Sequence, residues 1–340
     1  MSVTIKQISK LCGVSRGTVD RVLNNRGKVK PETEQKIRNM AEQLGYRPIL
    51  AGKVLAAQKK EMVIGILLVS EGNAFFDDVK SGILCAQEEL KGLGVKILLR
   101  TVKGYYTEQI IHVIEEIREE INALILTPVN DPAISEEIDS LVENHIGVFT
   151  INTDIENSKR ICYIGSDYIK GGETACGMMG LLTGGKANLG IITGSVKVLG
   201  HNQRISGFRN IMKKRYPDFK VLDFAECNDD DDRAFQVTKK MLKENPSIDA
   251  IFIVAAGVSG VCKAVQEQNL SKQINIICFD STPASRKMME IGLIKVIICQ
   301  QPFRQGNRAV HVAFEYLMGT KKESIESIMI ENEIRIRENI

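Results

Sequence analysis

The chain has no tryptophan, only four histidines in 340 residues, and 5% aromatics. His112, His145, His201 and His311 stand apart in sequence, none at metal-ligand spacing and none beside a Ser or Cys nucleophile pattern. The eight cysteines (Cys12, Cys85, Cys162, Cys176, Cys227, Cys262, Cys278 and Cys299) include no CxxC pair, so a zinc site is not expected. They read as small apolar side chains of a reducing compartment. No apolar run approaches the roughly 20 residues of a membrane span, and the opening "MSVTIKQISK" lacks a signal-peptide core, so a cytoplasmic protein is expected. "LTGGKANLG" is glycine-rich but is neither GxGxxG nor GxxxxGK[ST], which gives nucleotide cradling weak support. These absences argue against a metal- or cofactor-dependent enzyme, and the expectation is a non-enzyme with no cofactor and no metal.

Positive charge is present but unevenly spread. The net charge is +3, yet residues 1–60 hold 13 Lys and Arg against 4 Asp and Glu, leaving 32 against 38 for the remainder. A basic arm on an acidic body points to a polyanionic partner for the arm. Within the arm, "GVSRGTVDRVLNNRGKV" (Gly13 to Val29) sets Arg16, Arg21, Arg26 and Lys28 among small and polar residues.

The arm reads as short helices. Thr4 and Gln7 form a capping-box pattern, Ile5, Ile8 and Leu11 fall on one face, and Gly13 supplies a stop. Ser15 is the next N-cap, opening a helix with Val19, Val22 and Leu23 inward. Pro31 suits the first turn of a third helix with Ile37, Met40, Ala41 and Leu44 inward and Gly45 as its stop. Two short helices around a tight glycine-containing turn make a helix-turn-helix, whose slim second helix carries outward basic side chains into the major groove. "SRGTVDRVLNN" meets that description, so the arm is expected to meet DNA.

From Met62 the texture changes. Ten apolar runs of strand length, among them "MVIGILLV", "ALILTP", "AIFIVAA" and "INIICFD", alternate with helical segments. Continuous apolar strands are buried on both faces, which means parallel sheets covered by helices. Ten strands are better shared between two open α/β subdomains with a cleft between them. "NDDDD" (Asn228–Asp232) reads as a solvated helix start.

The segment "TIKQISKLCGVSRGTVDRVLNNRGKVKPETEQKIRNMAEQLGYRP" resembles the headpiece of the lactose-repressor (LacI) family of bacterial transcription regulators. The resemblance implies that Arg16, Gly17 and Arg21 read base edges and that Thr18, Asn24, Lys28 and Thr33 grip phosphates, with the cap residues Thr4 and Ser15 in the same DNA-binding set. Asp20 departs from the family's small hydroxyl residue there, and Gly17 offers no side chain. The family's hinge helix follows, with Leu55 as the minor-groove wedge; Gly52, where alanine is usual, weakens that helix by about 1 kcal/mol.

The body resembles the type I periplasmic sugar-binding fold, with the ribose-binding protein as the nearest pattern. The domains expected are a headpiece (1–48), a hinge helix or linker (49–60) and an effector domain (61–340). Its N-subdomain would comprise about 61–165 and 302–330, and its C-subdomain about 166–301 and 331–340. The resemblance implies that Asn73 binds a hydroxyl, Phe75 and Phe76 stack on a sugar ring, and Arg204, Asp280 and Gln300 contact the ligand, with Asn202 beside them. Asn152 and Thr153 stand where the family has a carboxylate and an arginine, with Asp154 as substitute, and Ala255 and Ala256 replace an Asn-Asp pair.

These readings give a cytoplasmic, homodimeric repressor, bound to a pseudo-palindromic operator and switched allosterically by a sugar, polyol or similar metabolite. A transport-type sugar-binding protein and, at greater distance, a small-molecule enzyme remain as rivals.

Overall fold

The computed structural model describes residues 5–23, 29–43, 62–69, 71–319 and 325–340. The chain divides into two units, Met1–Lys59 and Lys60–Ile340. Thr4, Asn24, Lys28 and Leu55, named above for DNA contact, lie outside the described residues.

The first unit contains helices α1 (Ile5–Cys12), α2 (Arg16–Leu23) and α3 (Pro31–Gln43). Ile8, Cys12, Val19, Val22, Ile37 and Ala41 close a small core, with Val14, Leu23, Val29 and Met40 at its margin. Ser15 caps α2: its Oγ accepts the Thr18 backbone N–H at 3.1 Å and lies 2.9 Å from the Thr18 hydroxyl. Gly13, in the left-handed region (φ 69°), makes the turn between α1 and α2. Leu11, expected on the inner face of α1, is instead 56% exposed.

The second unit has two lobes, each built on a six-stranded sheet. In lobe 1 the strands are β1 (Met62–Val69), β2 (Val95–Val102), β3 (Ala123–Leu126), β4 (Gly147–Ile151), β5 (Cys162–Ser166) and β11 (Ile328–Ile330), in the order β11-β5-β4-β3-β1-β2. All its pairings are parallel. Lobe 2 holds β6 (Lys186–Thr193), β7 (Asp218–Glu226), β8 (Ala250–Ile253), β9 (Asn275–Phe279), β10 (Ile294–Cys299) and β12 (Glu333–Arg335), in the order β12-β10-β9-β8-β6-β7. Only β12 runs antiparallel to its neighbour. The two C-terminal strands, three residues each, were not among the ten expected from apolar runs: "IMI" and "EIR" are too short to show a period.

Helices cover both sheets: α4 (Phe75–Glu89), α5 (Thr107–Ile117) and α6 (Pro132–Glu143) follow β1–β3, and α7 (Tyr168–Thr183) follows β5. Then come α8 (Leu199–Arg215), α9 (Asp231–Glu244), α10 (Val258–Glu267), α11 (Pro283–Glu290) and α12 (Pro302–Leu317). The chain passes between lobes three times. After β5, α7 packs on α8 and on β9; after β10, α12 returns to pack on α4 and on β3 and β4; after β11, β12 joins lobe 2. Residues such as Ile64, Ile66, Leu124 and Phe149 in lobe 1, and Phe208, Phe252 and Phe279 in lobe 2, have at most 2% of their surface exposed.

Glycines let the helix pairs approach closely. A Cβ on Gly82 of α4 would lie 2.1 Å from the Phe303 carbonyl oxygen of α12, and one on Gly306 would lie 2.1 Å from that of Val79. The same arrangement recurs in lobe 2: Cβ atoms on Gly172 and Gly207 would lie 1.9 and 2.0 Å from the carbonyls of Arg204 and Ile169. Because the obstructing atoms are backbone, Gly207→Ala is expected to cost about 1–3 kcal/mol through overpacking. Gly177→Ala, on open space in α7, should instead gain up to about 1 kcal/mol from helix propensity. Urea unfolding of the two variants checks this, and equal effects would refute it.

Candidate functional site

Every strand-to-helix turn at the carboxyl end of either sheet is a position where loops of the two lobes can converge. The cavity found there is lined by residues following β1 (Asn73, Phe75, Phe76), β2 (Tyr105), β3 (Thr127, Pro128), β4 (Asn152, Thr153) and β5 (Tyr168). From lobe 2 it receives His201 and Arg204 of α8, Asp229 after β7, Ala255 and Ala256 after β8, Asp280 after β9 and Gln300 after β10. The space between the loops measures about 510 Å³ with its open mouth included.

Eight of the ten residues expected at a ligand line this cavity: Asn73, Phe75, Phe76, Asn152, Thr153, Arg204, Asp280 and Gln300. Phe75 and Phe76 belong to the first turn of α4 rather than to a loop, are 5% and 4% exposed, and meet edge to face at 5.2 Å. Asn73 sets that turn, its side-chain oxygen accepting the Phe75 N–H at 3.0 Å. Asn152 sits in the left-handed region (φ 65°), and its carbonyl accepts the hydroxyls of Tyr163 and Tyr168.

Two expected residues are elsewhere. Asp154 is turned away into a bidentate pair with Arg160, 2.5 Å to both oxygens, and also accepts the Thr150 hydroxyl at 2.7 Å. The nearest cation has captured it, so it does not replace the family's carboxylate. Asn202 lies on α8 two residues before Arg204, about 200° round the helix, and so faces outward; its amide donates to the Val196 carbonyl at 2.7 Å.

Arg204 is 3% exposed. Its guanidinium lies 3.8 Å from the Phe279 ring centroid and 4.6 Å from that of Tyr168, and Nη1 donates to the Val254 carbonyl at 2.6 Å. A buried cation so held keeps its plane fixed. Its Nε, the Gln300 Oε1 and the Thr127 Oγ1 are buried with no hydrogen-bond partner among the described residues, and all three residues border the cavity. Unpaired buried polar atoms are costly, so a ligand that offers hydroxyls to them recovers that cost. Asp280 adopts φ 68°, and its Oδ1 accepts the Gln300 amide at 2.7 Å. Asp280 does not cap α11; Thr282 and Ser285 form that capping box, leaving the carboxylate to the cleft. Burial pushes the Asp280 carboxyl up to about 6.

The cavity also holds groups that the resemblance did not supply. "NDDDD" is only partly a helix start: Asp230 caps α9, whereas Asp229 (φ 58°) turns its carboxylate into the cleft. Asp229 Oδ1 accepts the Ala256 N–H at 3.0 Å, and Oδ2 accepts the Tyr105 hydroxyl from the opposite lobe. Burial and the Asp229 charge hold the Tyr105 phenol well above its ordinary pKa, so it remains a donor. His201 Nδ1 accepts the Ser195 N–H at 3.1 Å, and burial lowers its pKa. Asp229 could have been found as the one acid of its run placed before the N-cap; Tyr105 carries no signal beyond its position after a strand. A second bond between lobes runs from the Gly200 N–H to the Thr153 hydroxyl at 3.2 Å, so Thr153 joins the lobes rather than replacing an arginine.

In the first unit, Arg16, Gly17 and Arg21 are exposed on the face of α2 opposite the buried Val19 and Val22. Thr18 and Thr33 are half-buried at the starts of α2 and α3.

Residues 64–321 match the sequence profile of the periplasmic binding protein domain. The chain belongs to that family. Its residues 4–48 match the profile of the bacterial regulatory proteins of the lacI family, so a lacI-type DNA-binding domain precedes the periplasmic-binding-protein domain. Catabolite control protein A of Priestia megaterium is 24% identical over 341 residues, spanning 99% of this chain and 98% of that one. The ribose import binding protein of Bacillus subtilis is 26% identical over 78% of this chain and 85% of its own length. The transcriptional regulator GalS of Salmonella typhimurium is 26% identical over 84% and 82%. Among solved structures, an ABC-transporter solute-binding protein from Burkholderia graminis, in complex with D-arabinose, superposes with a TM-score of 0.77 at 24% identity, covering 82% of this chain and 96% of that one. Among the described residues no helix is long and apolar enough to cross a membrane.

The Asp280 carboxyl in this periplasmic-binding-protein domain gives a pH signature. Its folded-state pKa of about 6 lies above the ordinary 3.8, so the fold binds that proton more tightly than the unfolded chain does. The group's contribution to stability is therefore complete below about pH 4 and is lost as pH rises through about 6. Asp280→Asn, which cannot ionise, should gain on the wild type over that interval in urea unfolding; a pH-independent difference would contradict the burial argument.

Proposed function

We propose that the protein is a DNA-binding transcription regulator whose operator affinity is set by a small sugar or sugar-like metabolite held in the cleft. The observation that carries the ligand reading is the set of unpaired buried atoms, Arg204 Nε, Gln300 Oε1 and Thr127 Oγ1, together with the Asp280 carboxylate, around one cavity closed by the Phe75 and Phe76 rings. Planar charged groups pair with adjacent hydroxyls, and apolar rings take the C–H face of a sugar. Among relatives, the ribose import binding protein and the D-arabinose complex are named for sugars, and the lacI-family profile accounts for the headpiece.

On the DNA side, Arg16 and Arg21 on the exposed face of α2 would read base edges, with Gly17 between them letting the backbone approach. Ser15, Thr18 and Thr33 support the approach to phosphates, and Thr4, Asn24, Lys28 and the Leu55 wedge complete the surface as proposed from the sequence. Two chains pair so that two headpieces meet a pseudo-palindromic site. Closure of the lobes on the ligand reorients the lobe-1 faces of the pair, and a coupling of about 1–3 kcal/mol is enough for a useful switch. The protein acts in the cytoplasm as a repressor and binds its ligand without turnover.

The decisive experiment takes the operator from genomic fragments selected by the purified full chain and measures affinity against salt, with and without each sugar of a monosaccharide panel. Affinity should fall steeply with salt. Arg21→Ala should cost about 1–3 kcal/mol on the selected site and much less on random DNA. A sugar that shifts operator affinity should lose that effect in Arg204→Ala. Salt-insensitive binding would overturn the DNA reading, and a panel with no effect would overturn the sugar reading.

A further inference from the structure

Outside the inner cavity the two lobes enclose a second, larger crevice, lined by Glu71, Lys103, Tyr106, Lys197, Glu226 and Arg233 among others. Val69, Asn73, Tyr105 and Asp229 border both spaces. Of these, Tyr105 and Asp229 come from opposite lobes and are joined by a hydrogen bond, so that contact lies at the boundary between the two spaces, beside Val69 and Asn73. Tyr105 also meets the buried His201 ring edge to face at 6.4 Å, which fixes the phenol against lobe 2.

The protein is built to hold Asp229 in this place. Asn228 and Asp229 are consecutive left-handed residues, φ 52° and 58°, an unfavourable conformation that the backbone bonds of Cys227 to the Thr193 carbonyl and of Asn228 to that of Gly194 enforce. A Cβ on Gly194 would lie 2.2 Å from the Asp229 carboxylate, so only glycine fits beneath it. The remaining carboxylate oxygen is anchored on Ala256 N–H, in the turn where Ala255 and Ala256 present methyl groups only. The polar character missing from that turn is thus supplied by an acid that follows β7, two places along the sheet from β8, and this acid faces a tyrosine across the cleft.

We infer that Tyr105 and Asp229 form a gate that seals the inner cavity from the outer crevice and restricts the ligand to a single unsubstituted sugar ring. This rests on the sugar reading above. A disaccharide or bulky glycoside seated on Arg204 and Asp280 and extending toward the outer crevice would meet the Tyr105–Asp229 contact; with the ring removed, its second unit would enter that crevice. A free monosaccharide needs no such exit and is enclosed when the hydroxyl of Tyr105 reaches Asp229.

The test is calorimetric titration of the full-length chain with D-ribose, D-arabinose, D-xylose, D-glucose and D-galactose, and with maltose and lactose. The wild type should bind at least one monosaccharide at least about 100-fold more tightly than either disaccharide. Tyr105→Ala should reduce that ratio at least about tenfold, chiefly by admitting disaccharide. Tyr105→Phe, which keeps the wall but loses the bond to Asp229, should keep the ratio while weakening monosaccharide binding by up to about tenfold. Undiminished discrimination in Tyr105→Ala, or disaccharide binding by the wild type as tight as its best monosaccharide, would overturn the gate. A wild type that binds none of the sugars overturns the sugar reading instead. In that case the gate is decided by thermal unfolding of Tyr105→Phe, Asp229→Asn and the double variant: non-additive shifts keep the contact, and additive shifts remove it.

Discussion

Three crossings of the chain between two parallel sheets are the constraint on which the rest of the body depends. They put the carboxyl ends of ten strands around one space, so that loops far apart in sequence contribute to one cavity. They also reduce the relative freedom of the lobes to a bend at three short links. The links are tied to one another: Gln301 donates to the Glu331 carbonyl at 2.8 Å, and Asn332 donates to that of Asp167 at 3.4 Å. Gln300 in turn holds Asp280, so one residue of the site is itself part of the hinge.

The electrostatics of the cavity follow from this burial. Among the described residues Arg204 has no carboxylate within bonding distance and is instead held between two aromatic faces and a carbonyl, while Asp280 nearby has its ionisation suppressed toward neutral pH. Acid and base are kept close but not paired, which leaves both able to address a neutral polar molecule. A direct ion pair would have consumed the capacity that a ligand needs.

Much of this arrangement was legible in the sequence. Both-face burial made every central strand visible as a continuous apolar run, and the helix periods of the headpiece placed Val19 and Val22 inward. The residues expected from the resemblance that do line the cavity, such as Asn73 and Asp280, follow strands in polar turns. The errors have local causes. Asp154 was claimed by Arg160, six residues away, a competition that spacing does not reveal. Asn202 failed because "HNQRISGF" is helix, not loop, so residues two apart point in opposite directions. Tyr105 and Asp229 matter only through each other, across 124 positions, and no local pattern encodes such a meeting.

The last two strands add a mechanical property. β11 ends at Ile330 in one sheet and β12 begins at Glu333 in the other, so Glu331 and Asn332 alone span the gap. A tether of two residues, its ends locked into separate ladders, tolerates torsion but almost no stretch. The lobes can therefore rotate about an axis passing near this strap, yet cannot slide past or draw apart from each other. The cleft opens as a book does about its spine, with the largest excursion at the edge farthest from residues 331–332.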